Sequence, residues 1–106
     1  MVNSPREKLP NKRRGTRFVV GEGPLSVHVS TGEYDGGILG EIFLDSSKDG
    51  TFSRDMLTAF AVAVSLGLQH GVPLSAFTHA FRDFKMEPDI LREIFSELEG
   101  RYKHVV

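Results

Sequence analysis

The chain has 106 residues, 40% hydrophobic and 25% charged, with a net charge of −1 and no cysteine. This length supports one domain around one modest core. The lack of thiols excludes a disulfide scaffold, a thiol nucleophile and a cysteine-ligated metal. The longest apolar run, residues 59–64, is far too short to span a bilayer, and the opening residues carry no signal-peptide pattern. A cytoplasmic protein without membrane contact is the expectation.

The net charge hides an asymmetry. Residues 1–17 hold six basic side chains against one acidic, a balance of +5; the rest holds seven against thirteen, a balance of −6. Residues 1–14, polar and proline-bearing, read as a flexible basic leader, and residues 15–106 as a single domain. Within the arm, Lys12, Arg13, Arg14 and Arg17 form the basic cluster, and they are the candidate contacts to phosphate or nucleic acid. With one aromatic beside them, Phe18, they could contact a nucleic-acid backbone, and base readout is not indicated.

From Thr16 onward the pattern becomes structured. Phe18, Val19 and Val20 suggest a strand ended by Gly21-Glu22-Gly23-Pro24, a turn sequence. Leu25, Val27 and Val29 alternate with Ser26, His28 and Ser30, the period of a strand with one buried face. Asp35-Gly36-Gly37 supplies a hairpin turn into a third strand. On that strand simple alternation puts Ile38, Ile42 and Leu44 on one face and Leu39, Glu41 and Phe43 on the other. Leu39 and Phe43 are thereby expected away from the core. With Tyr34 and Glu41 they make a candidate interaction surface.

Three helices follow a loop at residues 46–50, with Thr51 or Ser53 as N-cap candidates. In the first, Met56, Leu57, Phe60, Ala61, Val64 and Leu68 recur at helical spacing, and Ala59, Val62, Ala63 and Leu66 add apolar groups on other sides. A helix apolar nearly all round is expected to be central and buried, with Ala59, Ala61, Ala63 and Gly67 allowing close approach. Gly71 suits the left-handed position after its end, and Pro73 the first turn of the next helix. That helix carries Leu74, Phe77, Phe81 and Phe84. Pro88 opens the last, with Ile90, Leu91, Ile94, Phe95, Leu98 and Tyr102 on one face. Strands first and helices after argue an α+β fold: an antiparallel three-stranded meander at about 16–20, 25–33 and 38–45, packed against helices at about 52–70, 73–83 and 88–103.

The chain is sparse in chemistry. His28, His70, His79 and His104 form no metal-ligand pair, and no cofactor is expected. No nucleophile elbow or phosphate loop is present. Gly50-Thr51 before a helix could present backbone N–H groups to an anion, as nearly any helix start can. Glu33, Glu41 and Asp45 are the carboxylates an acid–base enzyme would have to use; an exposed polar sheet edge explains them better.

Three segments in order carry a family resemblance. These are Leu9-Pro10-Asn11-Lys12-Arg13-Arg14-Gly15, then Thr31-Gly32-Glu33-Tyr34 with Leu39-Gly40-Glu41-Ile42-Phe43, then residues 60–73 continuing to Phe77, Ala80 and Phe81. Together they resemble the C-terminal, TSCPD-type module of adenosylcobalamin-dependent (class II) ribonucleotide reductases. The resemblance implies the fold and a setting in deoxyribonucleotide synthesis. The Thr-Ser-Cys-Pro-Asp motif and every cysteine are missing here, and the chain is too short for the reductase barrel. The resemblance therefore implies a stand-alone accessory or interaction domain without reductase activity, with a protein partner or a second copy as its contact. Nucleic acid bound by the arm is the alternative.

Overall fold

The computed structural model describes residues 5–46, 51–84 and 89–102. Of the loop expected at 46–50, residues 47–50 lie outside the described residues, as do the opening at Pro88 and His104, while Ser46 ends the third strand. Three strands, β1 (Arg17–Val20), β2 (Val27–Tyr34) and β3 (Ile38–Ser46), form an antiparallel sheet in the order β1-β2-β3. Three helices follow: α1 (Thr51–Gln69), α2 (Leu74–Phe81) and α3 (Ile90–Arg101). This is the α+β meander anticipated from the residue pattern.

The turn chemistry works as the residue types require. Between β1 and β2 a single 3-10 turn, Gly23–Leu25, carries Pro24 in its first turn, flanked by positive φ at Gly21 and Gly23. Gly36 and Gly37 adopt φ of 94° and 81° in the hairpin, and the Gly37 N–H donates to Tyr34 O at 3.0 Å. Helix α1 ends in a Schellman arrangement. Gly71 sits at φ 94°, the Val72 N–H reaches Gly67 O at 2.9 Å, and the Gly71 N–H reaches Leu68 O at 3.1 Å.

The core lies between one sheet face and the helices. Val20, Val27, Val29, Ile42 and Leu44 meet Ala61 and Val64 of α1 and Ile94, Phe95 and Leu98 of α3. Each fully buried side chain of this size contributes about 1.5–3 kcal/mol through the hydrophobic effect. Phe95 joins the three helices, with Phe81 at 5.4 Å between ring centroids and Phe60 and Phe77 at 6.3 Å. Phe77 reaches α1 over Gly67, where a Cβ would come within 2.7 Å of its ring. At the far end of α3 the Arg101 guanidinium stacks 4.5 Å from the Phe18 ring centroid and ties the helix to β1.

Two expectations fail. The first is the place of α1. It runs beside β3 at the sheet's edge, and its buried positions are Ala61, Val64, Ser65 and Gln69. Met56, Val62 and Leu66 remain exposed. The apolar residues all round the helix therefore do not mark a central element.

The second failure is Leu39. In the β2–β3 register Gly32 faces Glu41 and Glu33 faces Leu39, so Gly40 has no opposite residue. This bulge shifts the alternation by one. Leu39, only 6% exposed, joins the core, and Ile38 turns outward. Gly40 permits the bulge, since a Cβ there would lie 2.7 Å from both the Leu9 and Tyr34 side chains.

Helix α1 holds β3 through its polar residues. The Ile42 N–H donates to Ser65 Oγ at 2.9 Å, and the Ser65 hydroxyl donates to Ile42 O at 3.1 Å. These backbone groups point off the sheet's edge, where an unpaired row would otherwise invite another strand. Ser65→Ala leaves both without a partner in a buried setting. It is expected to lower unfolding stability by about 1–3 kcal/mol in urea titrations, with an unchanged m-value.

Candidate functional site

Residues 5–14, within the segment anticipated as a flexible leader, meet the body of the domain where the bulge, the hairpin and the end of α1 converge. Gln69 is the junction. Its side-chain amide donates to Gly40 O at 3.0 Å and accepts from Arg6 Nε at 2.6 Å, while its backbone oxygen accepts the Glu7 N–H at 2.8 Å. Tyr34 donates its hydroxyl to Glu7 O at 2.5 Å. Burial first, and then the negative charge of Glu7, hold that hydroxyl's pKa above the usual tyrosine value. Further along, the Glu33 N–H reaches Arg14 O at 2.9 Å and the Thr31 N–H reaches Thr16 O at 3.0 Å, continuing the β1–β2 ladder toward the arm.

The candidate cations part company here. Arg13 forms an ion pair with Glu41 and donates to Pro10 O at 2.6 Å. Glu41 is 8% exposed, folded over Gly32, where a Cβ would collide with its carboxylate. Lys12 and Arg14 are exposed and line a hollow with the acidic Glu33 and Asp35 at the hairpin turn. Arg17 stands apart on the open sheet face with Val19, His28, Ser30 and Phe43. The structure thus brings Lys12, Arg13 and Arg14 around one hollow, ties Arg13 to Glu41, and separates Arg17.

The interaction candidates also divide. Leu39 is carried into the core by the bulge at Gly40 and is not a surface residue. Glu41 and Tyr34 hold the arm. Phe43 is 53% exposed and lines a groove beside α1 with Val62, 53% exposed, and Leu66, 39% exposed. Val62 and Leu66 belong to this groove, although the apolar pattern all round α1 reads as a helix buried on every side. Ser65 and Gln69 were also missed, although their signal is present: two polar residues four apart, in line with Ala61 on an apolar helix, mark a face that needs hydrogen-bond partners.

The carboxylates do not converge. Glu41 pairs with Arg13, Asp45 lies opposite His28, and Glu33 accepts a hydrogen bond from Tyr102 at 2.7 Å. Among the described residues no group of histidines and carboxylates is arranged to hold a metal. Among them, too, no helix is long and apolar enough to cross a membrane.

Beneath the arm lies a buried polar chain. The Thr16 N–H donates to Thr31 Oγ1 at 2.8 Å, Thr31 Oγ1 lies 2.6 Å from the Tyr102 hydroxyl, and that hydroxyl donates to Glu33. Burial, and next the hydrogen bond to the Glu33 carboxylate, push the Tyr102 pKa upward from its ordinary value. The folded protein thus keeps this proton at a pH where the unfolded chain, with tyrosines near 10, begins to lose it. Stability from this group is complete below about pH 10 and falls as pH rises through the folded-state value. Tyr102→Phe is expected to lower stability by about 1–2 kcal/mol at pH 7. It should also flatten the alkaline decline in urea midpoints between about pH 9 and 11.

The TSCPD domain family model matches residues 4–101. A vitamin B12-dependent ribonucleotide reductase of Agrobacterium fabrum is 47% identical over 87 residues, covering 82% of this chain and 7% of the reductase. That of Bradyrhizobium diazoefficiens is 47% identical over 88 residues, covering 83% and 7%. That of Streptantibioticus cattleyicolor is 41% identical over 87 residues, covering 78% and 14%. The chain spans less than a sixth of the length of these relatives. No solved structure matches it. The chain belongs to the TSCPD domain family.

Proposed function

We propose that this domain is a non-catalytic, cytoplasmic accessory module of nucleotide metabolism, which docks on a protein partner through the groove between β3 and α1. The observation that carries the reading is the exposure of Phe43, Val62 and Leu66 along one groove, which Ile42, Ala61 and Ser65 floor. Three large apolar side chains side by side on a small domain favour a covering surface over solvent. The relatives bear the name of a reductase and contain the matching segment within a much longer chain. That supports a reductase chain as the partner. The absence of cysteine supports a role other than thiol chemistry.

A second reading, nucleic-acid binding, is favoured by one observation. Lys12, Arg14 and Arg17 are exposed and form no ion pair among the described residues. It ranks second because Glu33 and Asp35 share the hollow of Lys12 and Arg14, which weakens its attraction for phosphate.

Affinity capture from native lysate, with and without nuclease, separates the two. The docking reading expects a B12-dependent reductase chain, identified by mass spectrometry, in both samples. It further expects loss of about nine-tenths or more of that capture with Phe43→Ser combined with Val62→Ser, an effect in the range of ordinary interface positions. Capture that vanishes with nuclease would move the function to Lys12, Arg14 and Arg17. Association unchanged in the folded double variant would overturn the docking reading.

A further inference from the structure

The two edges of the sheet are treated differently. On β3 the outward groups of Ile42 end on Ser65, and the Gly40 oxygen ends on Gln69. On β1 the alternation of paired residues is fixed by the bonds from the Glu33 N–H to Arg14 O and from the Thr31 N–H to Thr16 O. Carried along the register Phe18↔Val29 and Val20↔Val27, it puts those two pairs in the hydrogen-bonded sites. Arg17 and Val19 therefore direct their backbone N–H and C=O away from β2. Among the described residues no group bonds to them there.

This open edge runs along a cleft of about 890 Å³. Val19, Gly21 and Glu22 form one side, and Glu93, Ser96 and Gly100 of α3 form the other. Gly100 presents no side chain, and a Cβ there would meet nothing within 4 Å, so the α3 wall is low at that end. The charge of the cleft is one-sided. Asp89 is paired with Arg92 at 3.1 Å and Glu97 with Arg101 at 3.2 Å. Glu22 and Glu93 have no cationic partner among the described residues. On the other face of the strand, Val19 is 52% exposed.

From this arrangement we infer that β1 is a strand-addition site for an extended peptide of alternating basic and apolar residues from another protein. Backbone bonds to Arg17 and Val19 supply the register. Side chains on one side of the added strand enter the cleft, where cations meet Glu22 and Glu93. Those on the other side lie beside Val19 on the open sheet face, where apolar groups suit. Charge selects against a second copy as occupant, because pairing β1 with itself about a twofold axis brings two acidic clefts together. The shortness of β1 also discourages indiscriminate pairing. This site is separate from the β3–α1 groove and stands whether or not that groove docks a reductase.

The test uses the full chain, isotope-labelled, and the synthetic peptide Lys-Val-Lys-Val-Lys-Val with capped ends. Its controls are Glu-Val-Glu-Val-Glu-Val and a lysine peptide with alternate backbone amides methylated. The lysine peptide is expected to bind and to slow hydrogen exchange at the Arg17 and Val19 amides. The acidic peptide should bind about tenfold or more weakly, and Glu93→Lys should weaken the lysine peptide by a similar factor, the effect of one modest charge contact. Methylated amides should abolish binding, since they remove the donors an added strand needs. Val19→Pro should do the same by deleting an edge donor; Glu93→Lys, at an exposed helix position, keeps the test decisive if that proline disturbs folding. No binding up to about 1 mM at low salt, equal affinity for the acidic or methylated peptide, or protection centred away from Arg17 and Val19 would overturn the assignment.

Discussion

The Ser65 hydroxyl receives the Ile42 N–H and returns a hydrogen bond to the Ile42 oxygen, and one turn on, the Gln69 amide takes the Gly40 oxygen. These three bonds seat α1 along the edge of β3, and much else follows from that seating. They fix the height of the helix against the strand, which sets Ala61 and Val64 into the core. They place Gln69 where Arg6 and Glu7 can bond to it, so the N-terminal arm has a dock. They also turn Val62 and Leu66 outward beside Phe43, creating the apolar groove. A helix fixed only by apolar packing would be freer to roll, because hydrophobic contact is not directional and hydrogen bonds are.

The bulge at Gly40 is the companion constraint. It carries Leu39 into the core and lets Glu41 lie over Gly32 to meet Arg13. Replacing either glycine would drive a Cβ into a neighbouring side chain, of Leu9 and Tyr34 at Gly40 and of Glu41 at Gly32. The arm, the hairpin and the helix end thus share one corner, whose polar groups are bonded to one another. Such a corner serves positioning better than chemistry. Glu41 is paired with Arg13, Glu33 accepts from Tyr102, and Arg6 donates to Gln69.

Much of this architecture was legible in the residue order. The alternation of Val27 and Val29 with His28 and Ser30, the Asp35-Gly36-Gly37 turn and the Gly71 helix stop each rest on local backbone preference, and local preference held. What was not legible depended on contacts distant in sequence. Alternation alone could not reveal that Gly40 would be skipped, so Leu39 was placed outside. The apolar residues around α1 do not show which side meets a strand edge, so nothing in the pattern marks Val62 and Leu66 as exposed. Ser65 and Gln69 looked like ordinary polar substitutions in an apolar helix until their partners, 23 and 29 residues away, were in view. Family resemblance supplied the fold's identity; it could not supply this corner, which follows from side-chain geometry.

One sheet edge is closed by α1 and, among the described residues, the other is open; native-state hydrogen exchange on the isolated protein tests this difference most directly. The Ile42 amide, bonded to Ser65 Oγ, is expected to exchange only through global unfolding, and the Arg17 and Val19 amides, which face away from β2, to exchange orders of magnitude faster without any opening. An Ile42 amide that exchanges as fast as those of Arg17 and Val19 would contradict this, and would mean that Ser65 does not hold the strand.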